Sequence, residues 1–138
     1  MKYAAIVHKE KDGIFLEFPD LPGCMTDGNS IEELKKFGME ALSGYLKSLI
    51  EDDEDIPESS LSSGENILWF EIPPELIIAI QILKERKRQG LTQMGLAERM
   101  KGSRRTVQEV EGLKGSPTLR TLKKIAKALG KQLVVKLI

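Results

Sequence analysis

Ser103-Arg104-Arg105-Thr106-Val107-Gln108 sets two guanidiniums and a primary amide at the opening of a helix. A helix start already carries partial positive charge and favours anions. Two adjacent arginines there require something negative opposite them. Their chemistry narrows the choice to a polyanion with hydrogen-bonding edges. Arg reaches guanine O6 and N7 bidentately and Gln pairs adenine in the same fashion, each contributing roughly 1–3 kcal/mol of discrimination. Ser103 is placed to cap this helix, with Thr106 in its first turn and Val107 and Val110 anchoring its inner face. Thr92 and Gln93 open the preceding helix, where N–H groups and side chains meet phosphate. Lys114 follows closely and can track the backbone. The set Thr92, Gln93, Ser103, Arg104, Arg105, Thr106, Gln108 and Lys114 is therefore expected to contact double-stranded DNA.

Charge segregation supports this reading. The 138 residues hold 21 basic and 21 acidic side chains, yet residues 1–73 carry −10 and residues 74–138 carry +10, with all six arginines in the second part. Such asymmetry implies two modules, 1–73 and 74–138, with different partners. The basic module suits a polyanion, and the acidic one suits a basic protein. Other chemistries are poorly supplied. His8 is the only histidine, so it reads as an ordinary strand residue, and Cys24, the only cysteine, excludes an internal disulfide and reads as a packed side chain. No apolar run approaches the ~20 residues that span a bilayer, so no membrane association is expected. The start "MKYAAIVHKEKDG" does not read as a secretory signal. A cytoplasmic protein is the simplest expectation.

These groups need a frame. Residues 2–8 and 14–18 read as strands, joined at "KDG" into a hairpin. "PDLPG" is a rigid loop, and "CMTDG" offers a short third strand. Ser30 with Glu33 gives capping-box spacing, and Ile31, Leu34, Gly38, Ala41, Leu42, Tyr45, Leu46 and Leu49 form one helical stripe. Gly38 and Ala41 are small enough to let that helix lie close to a sheet. The run Glu51–Asp55 opposes the negative helix end and favours termination near Ile50. A polar loop at 56–66 leads to a last strand at 67–72, where Trp69 and Phe70 read as core although one must face outward. From Glu75 four helices follow, the later three capped by Thr92, Ser103 and Thr118. Gln132–Leu137 reads as a terminal strand whose backbone must pair with something. The fold class is α+β: a βββαβ unit, then a helical unit with a C-terminal strand.

Two resemblances attach to these residues. "LKERKRQGLTQMGLAERM", "SRRTVQEVEG" and "SPTLRTLKKIAKALG" resemble the phage-repressor (Xre/Cro) helix-turn-helix family over about 76–130, with Lys101-Gly102, Gly95 and Gly112-Leu113 departing from its usual pattern. "GIFLEFPDLPGCMTDGNSIEEL" resembles the HicB antitoxin family, the resemblance covering about 1–73. It implies a partial ribonuclease-H-like fold and a HicA-type toxin partner, a small basic protein that cleaves mRNA. It also implies repression of the chain's own operon. Residues expected toward the toxin are Glu17, Asp20, Glu51, Asp52 and Asp53, the acidic run steering a basic partner. Ribonuclease-H chemistry needs several carboxylates converging on two metal ions. Glu17 stands alone on its strand and Asp20 lies in a proline-bound loop, so no catalysis, metal or cofactor is expected. A homodimer or higher even oligomer is expected, the terminal strand pairing with its copy. The competing reading makes the front module a small-ligand sensor attached to a DNA-binding regulator.

Overall fold

The computed structural model describes residues 1–60 and 63–138; positions 61 and 62 of the expected polar loop lie outside the described residues. The chain packs as two units, Met1–Ile77 and Ile78–Ile138.

The first unit runs β1 (Lys2–Glu10), β2 (Gly13–Glu17), β3 (Met25–Gly28), α1 (Ile31–Glu51) and β4 (Ile67–Glu71). Its sheet is antiparallel in the order β3-β2-β1-β4. Strand alternation divides the side chains between two faces. Leu16 and Phe70 point toward α1, where a Cβ on Gly38 would stand 2.6 Å from each of them. That approach is why a glycine occupies the middle of a 21-residue helix despite its poor propensity. The helix buries Leu34, Gly38, Leu42, Leu46 and Ile50. Ile31, expected in the stripe, is exposed because it sits at the first turn, beyond the sheet contact. Ser30 Oγ accepts from Glu33 N at 3.1 Å, while Glu33 Oε2 accepts from Asn29 N at 2.8 Å. The capping box therefore closes one residue earlier than its usual form. Phe70 is buried and Trp69, its strand neighbour, is 46% exposed.

The second unit contains most of α2 (Pro74–Arg88), then α3 (Gln93–Met100), α4 (Arg104–Glu111) and α5 (Leu119–Ala128). Its core joins Ile82, Leu96, Ala97, Val107, Val110, Ile125 and Leu129. Thr92, Ser103 and Thr118 each cap the helix that follows, accepting from the N–H three residues on. At the α3–α4 turn the left-handed residue is Lys101 (φ 54) rather than Gly102. Lys101 N donates to Glu98 O and Gly102 N to Ala97 O, the paired bonds of a Schellman closure.

The expected terminal strand does not form within the single chain: residues 131–138 take no regular secondary structure. A strand exists only as part of a ladder, and no other strand lies within the second unit. Val134, Val135 and Leu137 are left exposed.

Candidate nucleic-acid interface

The candidate recognition surface is α4, which is only eight residues long. Val107 and Val110 hold it by their burial. A third inner residue is a carboxylate. Glu111 is 2% exposed and receives Arg86 Nε at 2.7 Å and Arg86 NH2 at 3.4 Å. Arg86, also 2% exposed, gives its NH1 to Leu91 O at 2.9 Å. Gln93 Nε2 completes the cluster at 2.6 Å from Glu111 Oε2. This buried ion pair thus ties α2, the α2–α3 turn, α3 and α4 together, and charge-assisted bonds of this kind fix geometry closely. Sequence reading passed over Arg86 and Glu111. The available signal was Glu111 itself: a charge adjacent to Val110 and four residues beyond Val107 falls on the inner face and demands a cation.

The candidate DNA contacts divide by what they already do. The side chains of Arg104, Gln108 and Lys114 are exposed and make no hydrogen bond or ion pair among the described residues. Arg105 is exposed but lies along its own helix, Nε donating to Glu109 Oε1 at 2.9 Å. A surface pair at this spacing stabilises by only about 0.3–0.5 kcal/mol, so a stronger acceptor can displace it. Thr92 Oγ1 accepts from Gly95 N at 2.9 Å and Ser103 Oγ from Thr106 N at 3.3 Å. Thr106 Oγ1 lies 3.2 Å from Ser103 Oγ. These hydroxyls set helix starts, and Gln93 is held by Glu111. Beyond α4, Leu113 takes a left-handed φ of 57 and turns the chain so that Lys114 N donates to Glu109 O at 2.9 Å. On α2, hydrogen bonds from Arg88, then from Gln89, hold the Glu85 carboxyl down at about 2, so it stays ionised beside the basic helix end.

The front-unit acids are also placed. Glu17 Oε2 lies 2.8 Å from His8 Nε2, whose ring stacks on Phe15 at 4.5 Å. Asp20 accepts from both the backbone N–H and the hydroxyl of Ser60, binding the Pro19–Gly23 loop to the segment after α1. Beside it, Tyr3 OH donates to Pro57 O at 2.6 Å, and burial, aided by Glu58 and Asp20, pushes this phenol up to about 12. Burial likewise raises Cys24 to about 11, which keeps it a protonated, packed thiol. Glu51 ends α1, Asp52 caps it, and Asp53 (φ 53) turns the chain away. All three are exposed, and the structure brings them together only as a helix exit. Among the described residues no group of three or more His, Cys, Asp or Glu is arranged to hold a metal ion, and no helix is long and apolar enough to cross a membrane.

A helix-backed antiparallel sheet joined to a unit with an exposed, cationic second helix is the layout of a two-part helix-turn-helix protein. A model of the HicB-like antitoxins of bacterial toxin-antitoxin systems matches residues 3–71, half of the chain, and a helix-turn-helix model matches residues 82–135. Antitoxin HicB 1 of Photorhabdus laumondii is 30% identical over 126 residues, covering 91% of this chain and 79% of the relative. Antitoxin HicB of Escherichia coli is 27% identical, covering 88% and 87%. A chain from a solved HicA3 and HicB3 toxin-antitoxin complex aligns at a TM-score of 0.43 and 24% identity, over 54% of this chain and 100% of that one. The chain belongs to the HicB-like antitoxin family and carries a helix-turn-helix DNA-binding region.

Proposed function

We propose that this chain neutralises a HicA-type, mRNA-cleaving toxin through Met1–Ile77 and represses its own operon through Ile78–Ile138. The observation that carries the second half is the front of α4. Arg104 and Gln108 project unpartnered from a helix whose inner face is locked by Glu111. Unpartnered guanidinium and amide groups on a rigid element are what base-edge readout requires. The first half follows from family membership and from the −10 charge of residues 1–73. We read the βββαβ unit as a partial ribonuclease-H fold serving as a binding platform, with Glu17 and Asp20 in structural hydrogen bonds rather than at a metal centre.

The test is operator binding by fluorescence anisotropy over a salt series. Arg104→Ala should cost about 1–3 kcal/mol on the cognate site and little on random duplex. Lys114→Ala should weaken both alike and flatten the log–log salt slope by about one. Equal losses on cognate and random DNA for Arg104→Ala would remove it from base readout.

The chain acts as a homodimer in this reading, residues Gln132–Leu137 pairing with a second copy. The exposed Val134, Val135 and Leu137 support this, because an apolar β-rich segment without a ladder offers open backbone groups and apolar side chains to a second copy. Truncation after Gly130 should convert the dimer to monomer in sedimentation velocity, and a dimer that survives it contradicts the assignment.

A further inference from the structure

We propose that the toxin docks on the open face of the sheet, the face turned away from α1, with Trp69 and Met25 as its apolar anchors. This inference rests on the antitoxin reading above and assigns the surface that performs it.

The register defines the face. Met25 pairs with Glu17, Glu17 with Ile6, and Ile6 with Ile67, so these four side chains form one row across all four strands. A second row sets Phe15 between His8 and Asp27, and Trp69 stands opposite Ala4. Directly opposed residues point to the same side, and Leu16, the strand neighbour of Glu17, points to α1. An antiparallel sheet that faces water carries polar residues there. This one carries methionine, two isoleucines, phenylalanine and tryptophan. Met25 is 52% exposed and Trp69 46% exposed.

The face also has a sign. Glu10, Glu17, Asp27 and Glu71 lie on it, against Lys2 alone among the described strand residues, and Lys2 pairs with Glu71 at 3.5 Å. An apolar centre with an acidic surround is complementary to a basic protein surface and sets partner choice and encounter rate. Four strands about 4.8 Å apart and about five residues at ~3.3 Å each give a patch on the order of 300 Å². That is a substantial part of the about 800 Å² per partner that a standard interface buries. Large aromatics at such a centre carry a disproportionate share of affinity.

The test uses the full chain and a catalytically silenced toxin from the adjacent reading frame, by calorimetry. Trp69→Ser with Met25→Ser should raise Kd at least about 30-fold while leaving operator binding unchanged. Glu40→Ser, on the exposed side of α1, should bind as the unaltered chain does. The variant binding within about threefold of the unaltered chain overturns the docking assignment and leaves the antitoxin reading standing. Failure of the unaltered chain to bind sinks both. A second readout needs no folding assumption, because Trp69 is the only tryptophan. Its emission, taken as the difference from a Trp69→Phe chain, should shift to the blue and lose acrylamide quenching when toxin is added. Unaltered quenching in a formed complex also overturns the assignment.

Discussion

Glu111→Ala is expected to remove most of the stability of the Ile78–Ile138 unit and to weaken operator binding with it. The substitution takes the carboxylate away from the Arg86 guanidinium, which is 2% exposed, and removes the acceptor of Gln93. Breaking one partner of a buried ion pair costs about 3–5 kcal/mol. A unit of about 60 residues has a total stability of roughly 3–9 kcal/mol, so the loss is a large fraction of the whole. Denaturant unfolding followed by circular dichroism reads the effect, and an unshifted helical transition would show that the pair is dispensable. Arg86→Met combined with Glu111→Leu should recover much of the loss, since no charge is then buried. Recovery stays incomplete because the Leu91 carbonyl loses its donor.

Gly38→Ala is expected to destabilise the Met1–Ile77 unit by about 2 kcal/mol, against the gain that alanine normally brings to a helix interior. Helix propensity favours the change by about 1 kcal/mol. The new Cβ, however, would stand 2.6 Å from Leu16 Cδ2 and Phe70 Cζ and 2.8 Å from Phe70 Cε1. Both partners are buried in the sheet core, where close packing leaves little room to shift. Overpacking of this kind costs typically 1–3 kcal/mol and more where neighbours are fixed, so the clash outweighs the propensity. Gly38→Val enlarges the loss. Thermal unfolding of the sheet signal measures it, and a raised midpoint for Gly38→Ala would mean that α1 lifts from the sheet at little cost. Gly44, on the same helix with nothing within 4 Å of a Cβ, should accept alanine with a gain.

What the sequence made legible here is local chemistry. Ser30, Thr92, Ser103 and Thr118 cap helices through a hydrogen bond spanning three residues, so their neighbours suffice to reveal them. The hairpin at Lys11–Gly13 and the smallness of Gly38 belong to the same range. The rest depends on groups brought together from afar. Arg86 meets Glu111 across 25 positions and Asp20 meets Ser60 across 40. No periodicity connects such pairs. Asp20 is expected toward the toxin because it belongs to an acidic module, and that charge says nothing of the bond by which it latches its loop to Ser60. Trp69 and Phe70 differ only in which side of β4 they take, and the pairing of Tyr3 with Phe70 decides it. At the C-terminus the β-propensity of Leu133–Val135 is plain, but propensity does not supply a neighbouring strand.

The Gln93 amide donates one hydrogen to Glu111 Oε2 at 2.6 Å, and a primary amide has two. That bond restrains the side chain before any nucleic acid arrives. On the proposed DNA-binding reading, a phosphate oxygen at the start of α3 would meet a side chain already ordered, saving part of the roughly 0.5–1.5 kcal/mol that ordering a loose glutamine costs. Readiness for the duplex would then be inherited from folding, through a cation buried on α2 that itself touches no nucleic acid.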